Sequence, residues 1–88
     1  MKIDLLAKSV HSLKEKRRIV SSIKEKLKRK FNISIIESDH HDTWQKIQLS
    51  VAILASSRDF AANVFRQCED HIFDNYPVEI IGVEVEYL

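Results

Sequence analysis

The chain has 88 residues, of which 44% are hydrophobic and 31% are charged, with one glycine, one proline and one cysteine. This length accommodates one domain, residues 1–88, and no second core. The composition excludes disordered, collagen-like and disulfide-stapled chains. No apolar run approaches the ~20 residues of a membrane span, and no signal-peptide pattern opens the chain. We therefore expect a cytoplasmic globular domain.

The net charge of +1 conceals two oppositely charged parts of the chain. Residues 1–57 carry 12 Lys and Arg against 6 Asp and Glu, whereas residues 58–88 carry 2 against 7. Within Lys14–Lys30 alone there are 9 basic and 2 acidic residues. This distribution predicts a polar molecule, for which a localised anionic partner is one explanation.

The first part of the chain predicts a strand followed by a helix. Residues 2–8 alternate between apolar and polar side chains, as in a half-buried strand. Ser12 and Glu15 have the spacing of a helix capping box. Apolar residues then recur at helical spacing as far as Phe31, within an arc of about 120° that is typical of a core-facing stripe.

A hairpin, a second helix and a last strand follow. Two β-rich runs joined by a polar segment are typical of a hairpin. Ser56 or Ser57 caps the second helix, and Pro77 ends it because the residue before proline disfavours helical geometry. The predicted elements in this part are strands at 33–37, 44–54 and 78–88 and a helix at about 58–75.

The order β-α-β-β-α-β without an internal linker is typical of the ferredoxin-like fold. We therefore expect an α+β two-layer sandwich, in which both helices cover one face of a four-stranded antiparallel sheet with strand order 4-1-3-2. Another two-layer sandwich with a different strand order is the alternative.

This fold leaves the other face of the sheet uncovered. The alternation places Ile36, Trp44 and Ile80 on that face, and opposite to it Ile81 and Val83. Exposed apolar groups often mark an interface, so we expect a homodimer through the open face. Scattered apolar surface residues, which need no partner, are the alternative.

The first helix carries the strongest functional signal. A helical wheel places six cations within one arc of about 140°, opposite the apolar stripe and interrupted only by Glu25. Such a face can contact several RNA phosphates at once. Two interpretations remain beside it: a solvated helix face, and ion pairing with Glu69, Asp70 and Asp74 of the second helix. The candidate nucleic-acid-binding residues are Lys14, Arg17, Arg18, Lys24, Lys28 and Arg29.

A second polar cluster is predicted where the hairpin loop meets the start of the first helix. His11 would be a general base there, next to Asp39 or Asp42, and imidazole and carboxylate groups also suit a metal ion. A turn held by Asp hydrogen bonds is the simpler interpretation. The candidate residues are His11, Asp39, His40, Asp42, Trp44 and Gln45.

Nothing else in the sequence indicates catalysis. Cys68 lies on the apolar stripe of the second helix, which is typical of a buried, inert thiol. The single glycine, Gly82, falls in a strand, so there is no Gly-rich phosphate loop. His71 lies at the edge of the same stripe, as a half-buried packing residue would. We therefore expect no enzyme, no metal and no cofactor.

Three motifs run through the chain: HSLKEKRR at 11–18, FNISI at 31–35 followed by Glu37, and DHHDTWQ at 39–45. Together they resemble the bacterial YlxP-like family, over essentially the whole chain. The sequence departs from that pattern at Lys8-Ser9, where a proline is common, and at His41, where glutamine is usual. The resemblance implies a ferredoxin-like fold and no assigned activity, since the family is a domain of unknown function. Its genes often lie beside those for translation initiation and ribosome maturation.

These observations predict a non-enzymatic accessory factor that binds structured RNA or the ribosome through the basic helix. Structured RNA is favoured because the strands carry no aromatic stacking platform. His11, Trp44 and Gln45 would add orientation or stacking. The alternative is a protein-interaction module that dimerises through its open sheet face and binds an acidic protein. We expect neither a membrane partner nor a small-molecule substrate.

Overall fold

The computed structural model describes residues 1–88. The predicted order of elements is confirmed, and both helices match their predicted bounds to within one residue. The last two strands are shorter than predicted, because each persists only where a neighbouring strand pairs with it. The elements are β1 (Lys2–Leu6), α1 (Leu13–Lys30), β2 (Ser34–Asp39), β3 (Lys46–Ala52), α2 (Arg58–Asn75) and β4 (Glu79–Glu84).

The four strands form one antiparallel sheet in the order β2-β3-β1-β4. This confirms the predicted ferredoxin-like α+β fold, since the order 4-1-3-2 is the same sheet described from its other edge. β1 and β3 are central, and β2 and β4 are the edges. Neither helix is both long enough and apolar enough to cross a membrane.

Side-chain caps set the beginnings of both helices. The Ser12 hydroxyl accepts a hydrogen bond from the Glu15 amide (3.1 Å), and the Glu15 carboxylate accepts one from the His11 amide (2.8 Å). In α2 the cap is Ser57, whose hydroxyl accepts from the Phe60 amide at 3.1 Å. Such caps supply partners for amides that have none within the helix.

The core lies between the sheet and the two helices. Sixteen hydrophobic side chains are buried there. Most come from alternate positions of the central strands and from one stripe of each helix; Ala7 and Val10 of the β1–α1 connection and Ile35 of β2 complete the set. Lys16 of α1 is the only polar or charged residue among the fully buried ones. A buried ammonium group needs polar partners, and these lie on β2 and in the loop between β2 and β3.

A bulge in β4 places its first residues on the opposite side of the sheet from the one predicted. Asp4 pairs with Gly82 and Leu5 pairs with Ile80, so that Ile81 is an extra residue between the two pairs. Paired residues of antiparallel strands share a face, and Ile80 therefore packs against the core whereas Ile81 is 55% exposed. The predicted placement of Ile80 on the open face is wrong, because one inserted residue shifts the alternation.

The centre of the open face is polar. The Gln48 amide donates to the Asp4 carboxylate at 3.0 Å, and the Ser38 hydroxyl donates to the Gln48 side-chain oxygen at 2.9 Å. The Ser50 hydroxyl in turn donates to Ser38 at 2.8 Å. Trp44 lies in the loop before β3 rather than in the predicted strand. A hydrogen-bonded strip thus crosses three strands of the face on which we predicted a dimer contact.

Candidate nucleic-acid interface and the adjoining loop

The six cations of α1 that we predict to bind nucleic acid all lie outside the buried core. Arg29 is the one that forms an ion pair, with Glu25 of the next turn at 2.8 Å. The other five have no acidic group within 4.0 Å. These five, which we call the free cations, are Lys14, Arg17, Arg18, Lys24 and Lys28; Lys24 is half-buried and the others are exposed.

The acidic residues of α2 form no ion pair with α1. On its α2 side, α1 instead contacts Tyr76, whose hydroxyl is hydrogen-bonded to that of Ser22 at 2.8 Å. The Lys26 ammonium lies 5.9 Å from the centre of the Tyr76 ring. The interpretation in which α2 carboxylates neutralise the basic helix through ion pairs is therefore wrong.

The cations border two grooves along α1. The first, the Tyr76-side groove, includes Lys14, Arg18, Lys26 and Arg29. The second, the β2-side groove, lies between α1 and edge strand β2. Arg17, Ser21 and Glu25 form the ridge that borders both grooves, and the β2-side groove adds Val20, Lys24, Lys28 and Glu37.

Lys16 is the most buried charged group of this region, with 1% of its side chain exposed. Its ammonium lies 2.8 Å from a Glu37 carboxylate oxygen on β2. It also donates to the backbone oxygens of His40 and of Thr43, the latter at 2.6 Å. An ammonium has three N–H donors; two of them are used in these hydrogen bonds, and the Glu37 contact adds an ion pair.

This ammonium organises the loop between β2 and β3. His40 takes a left-handed conformation with φ of 63°, which is uncommon outside glycine. Its amide donates to the Asp39 carboxylate at 2.7 Å, and its carbonyl accepts from the Thr43 amide at 3.0 Å. The turn therefore directs two backbone oxygens at one buried cation. The Asp39 side chain holds this turn by its hydrogen bond, as predicted.

Gln45 joins the end of this loop to the connection between β1 and α1. Its backbone oxygen accepts from the Ala7 amide at 2.8 Å. Its side-chain amide donates to the carbonyls of Lys8 (3.3 Å) and Val10 (3.4 Å). The predicted convergence of the hairpin loop with the start of α1 is confirmed, and the Gln45 side chain is directed at backbone rather than at solvent.

The other predicted residues at this end are open to solvent. His11 and Asp42 are exposed, and Trp44 is 47% exposed. The nearest ring nitrogen of His40 lies 4.0 Å from Asp39, too far for a hydrogen bond. No group of three or more His, Cys, Asp or Glu side chains is arranged to hold a metal ion.

Two groups of α2 have shifted pKa values. Burial raises the pKa of the Cys68 thiol to about 11, with Glu69 acting in the same direction and Lys30 against it. Burial, Lys30 and Lys26 lower the pKa of His71, with Asp74 acting against them. Cys68 is fully buried and His71 half-buried, as predicted, and an un-ionised thiol is a poor nucleophile.

Lys16 and Glu37 were absent from the predicted sets of site residues. The signal for Lys16 lies in the helical pattern, because Lys16, Val20, Ile23 and Leu27 follow the spacing i, i+4, i+7 and i+11 of a single stripe. A lysine at the centre of an apolar stripe requires a buried acceptor. No pattern in the sequence identifies the partners of Lys16, since two of the three oxygens around it belong to the backbone.

A sequence-family model described as "Protein of unknown function (DUF503)" matches residues 1–85. The chain belongs to this family. It is 45% identical over 47 residues to the "Uncharacterized protein YlxP" of Bacillus subtilis (strain 168), a match of 53% of this chain and 51% of that relative. The chain thus spans about half the length of the curated relative it matches, and the predicted resemblance to the YlxP-like family is confirmed.

The three motifs of this family resemblance meet at Lys16. HSLKEKRR contributes Lys16 itself, Glu37 follows FNISI, and DHHDTWQ supplies His40 and Thr43. One ion pair and two hydrogen bonds thus join these segments, which are far apart along the chain, at the start of the basic helix.

Proposed function

We propose that this protein is a non-enzymatic accessory factor that binds structured RNA, free or in the ribosome, through the outer face of α1. The observation that carries the proposal is the set of five free cations on that face. From Lys14 to Arg29 the helix rises about 22 Å, which is long enough to meet several phosphates. Phosphates are strong acceptors for Arg and Lys.

The sheet supports binding through phosphates rather than through stacked bases. None of the four strands contains an aromatic residue, and single-strand binders rely on such residues. The central side chains of the open face, Asp4 and Gln48 among them, are already hydrogen-bonded to one another. Trp44 and His11, exposed beside the start of α1, are available for an additional contact.

Binding of this kind depends steeply on salt. Neutralising about five phosphates gives a slope of log K against log salt of roughly −3.5 to −4.5. Between about 50 and 200 mM salt the affinity would fall roughly 100- to 500-fold. A largely apolar protein interface would change little over the same range.

The test is binding to purified small ribosomal subunits and to bulk structured RNA across a salt series. The variant Arg17→Glu/Lys24→Glu/Lys28→Glu is expected to lose binding and the salt slope. A control with the same change in charge replaces three exposed cations outside α1: Lys2→Glu/Lys46→Glu/Arg66→Glu. Circular dichroism checks that both variants are folded.

The proposal is supported if the control variant retains binding and the α1 variant loses it. Equal loss in both variants would mean that net charge, and not α1, governs binding. If wild type binds neither target even at low salt, α1 is a solvated surface. The remaining candidate is then the predicted dimer or an acidic protein partner, which sedimentation velocity and partner titrations address.

A further inference from the structure

We infer that Trp44 is a stacking position for one unpaired nucleotide, so that the RNA bound along α1 is a stem with an unpaired nucleotide beside it. The inference rests on the proposed function and names the kind of RNA that this face would select. It follows from how the loop between β2 and β3 holds Trp44, from what the indole ring leaves unused, and from the cations next to the loop.

Tertiary hydrogen bonds fix the backbone on both sides of Trp44. On one side, the carbonyl of Thr43 accepts from the buried Lys16 ammonium at 2.6 Å. On the other side, the carbonyl of Gln45 accepts from the Ala7 amide at 2.8 Å. The Gln45 side-chain amide also donates to two carbonyls of the connection between β1 and α1. A side chain on a loop that is already ordered can bind a ligand without the entropic cost of ordering that loop.

The side chain of Trp44 takes no part in the core. It is 47% exposed, and it is neither one of the sixteen buried hydrophobic residues nor one of the partly buried residues that pack against them. Its ring stacks on no other aromatic ring, and no cation lies over it. Core packing therefore does not explain this tryptophan. Its free ring is the kind of group on which single-stranded bases stack.

The cations next to the loop favour a nucleotide over an apolar side chain of a protein. Lys16, which binds the loop at Thr43, lies at the start of α1. The free cations within two residues of it are Lys14, Arg17 and Arg18. Residues 40–45 themselves contain one carboxylate, that of Asp42. An aromatic ring beside several cations without acidic partners offers a base contact and phosphate contacts together.

The position of Trp44 in the fold determines where the unpaired nucleotide would lie. The row of free cations extends about 21 Å along the helix axis from Lys14 to Lys28, and Trp44 lies near the N-terminal end of this row. A stem that runs along α1 would reach Trp44 at that end. Bases within a paired stem are stacked on one another, whereas an unpaired base can turn out and stack on the ring. The protein should therefore prefer a stem with an unpaired nucleotide to a fully paired stem.

Two fluorescently labelled RNA hairpins test this preference. They are identical except that one carries a single unpaired adenosine in its stem. Wild type is titrated onto each hairpin over a salt series. We expect the hairpin with the unpaired nucleotide to bind at least about fivefold more tightly, which is the lower limit for stacking one base on an aromatic side chain.

Three variants separate stacking from other contacts. Trp44→Leu keeps an apolar side chain without a ring, and it is expected to bind both hairpins equally with the salt slope of wild type, because no charge is removed. Trp44→Phe keeps a ring and is expected to retain most of the preference. The matched control Phe73→Leu removes an aromatic ring of α2 that is 70% exposed, and it is expected to behave as wild type. All three substitutions lie outside the core, and circular dichroism checks that the variants are folded.

The outcomes distinguish this inference from the proposed function. Equal binding of the two hairpins by wild type would overturn the inference and leave RNA binding by α1 in place. A preference that survives in Trp44→Leu, or that Phe73→Leu also abolishes, would overturn it as well. So would a preference lost as completely in Trp44→Phe as in Trp44→Leu, since stacking requires only a ring. If wild type binds neither hairpin even at low salt, both the inference and the proposed function fail.

Discussion

Replacing Lys16 by methionine removes the charge around which the loop between β2 and β3 is built. Methionine matches the length of the lysine stem and fits the apolar stripe of α1. The Glu37 carboxylate, 14% exposed, would then have no cation within reach, and two loop carbonyls would lose their donor. Removing one partner of a buried ion pair costs about 3–5 kcal/mol.

That cost is large for a protein of this size. At roughly 0.05–0.15 kcal/mol per residue, 88 residues give a free energy of unfolding of about 4–13 kcal/mol. We expect the loss for Lys16→Met near about 3 kcal/mol, since water still reaches part of Glu37. Lys14→Met, an exposed neighbour on the same helix, is expected to change stability by less than about 0.5 kcal/mol.

Urea unfolding followed by circular dichroism measures both variants. Trp44, the single tryptophan, lies in the loop itself, so its fluorescence reports separately on loop order. The double variant Lys16→Met/Glu37→Met removes the uncompensated carboxylate and is expected to recover a substantial part of the loss. It should not recover all of it, because the carbonyls of His40 and Thr43 still lack a buried donor.

The reasoning is refuted if Lys16→Met unfolds within about 1 kcal/mol of wild type. A double variant less stable than Lys16→Met would also contradict it, because the cost would then not come from an unpaired carboxylate. In that case the loop would be held by Gln45 and by its own turn, with Lys16 contributing little.

Two further predictions follow from the shifted pKa values of α2. With a pKa of about 11 for Cys68, about one thiol in a thousand is ionised at about pH 8, so Ellman's reagent should label the native protein only as fast as it unfolds; rapid stoichiometric labelling would contradict this. The pKa of His71 is lowered below its usual 6.5 by burial, Lys30 and Lys26, so the unfolded chain binds a proton at a higher pH than the folded protein does. Stability should therefore fall as the pH decreases below about 6.5. The fall should be smaller in His71→Gln than in the exposed control His11→Gln when urea midpoints are compared between about pH 7.5 and about pH 5.5; equal slopes in these two variants would count against it.

The sequence by itself determined the order of elements, the helix bounds and the open side of α1. Helix periodicity and caps depend on residues within a few positions of one another. The cap formed by Ser12 and Glu15 and the apolar stripe through Leu27 can therefore be recognised from the sequence alone. The position of the six cations opposite that stripe follows from the same periodicity.

The tertiary structure alone decided which groups meet. The bulge that turns Ile80 to the core depends on the pairing of β4 with β1, which no local pattern encodes. Likewise, α1 and α2 are both charged, but only their packing determines that Glu69, Asp70 and Asp74 pair with no cation of α1. Lys16 could be recognised as a lysine within an apolar stripe. Its acceptors could not, because the carbonyls of His40 and Thr43 converge on it only once β2, β3 and α1 have packed together.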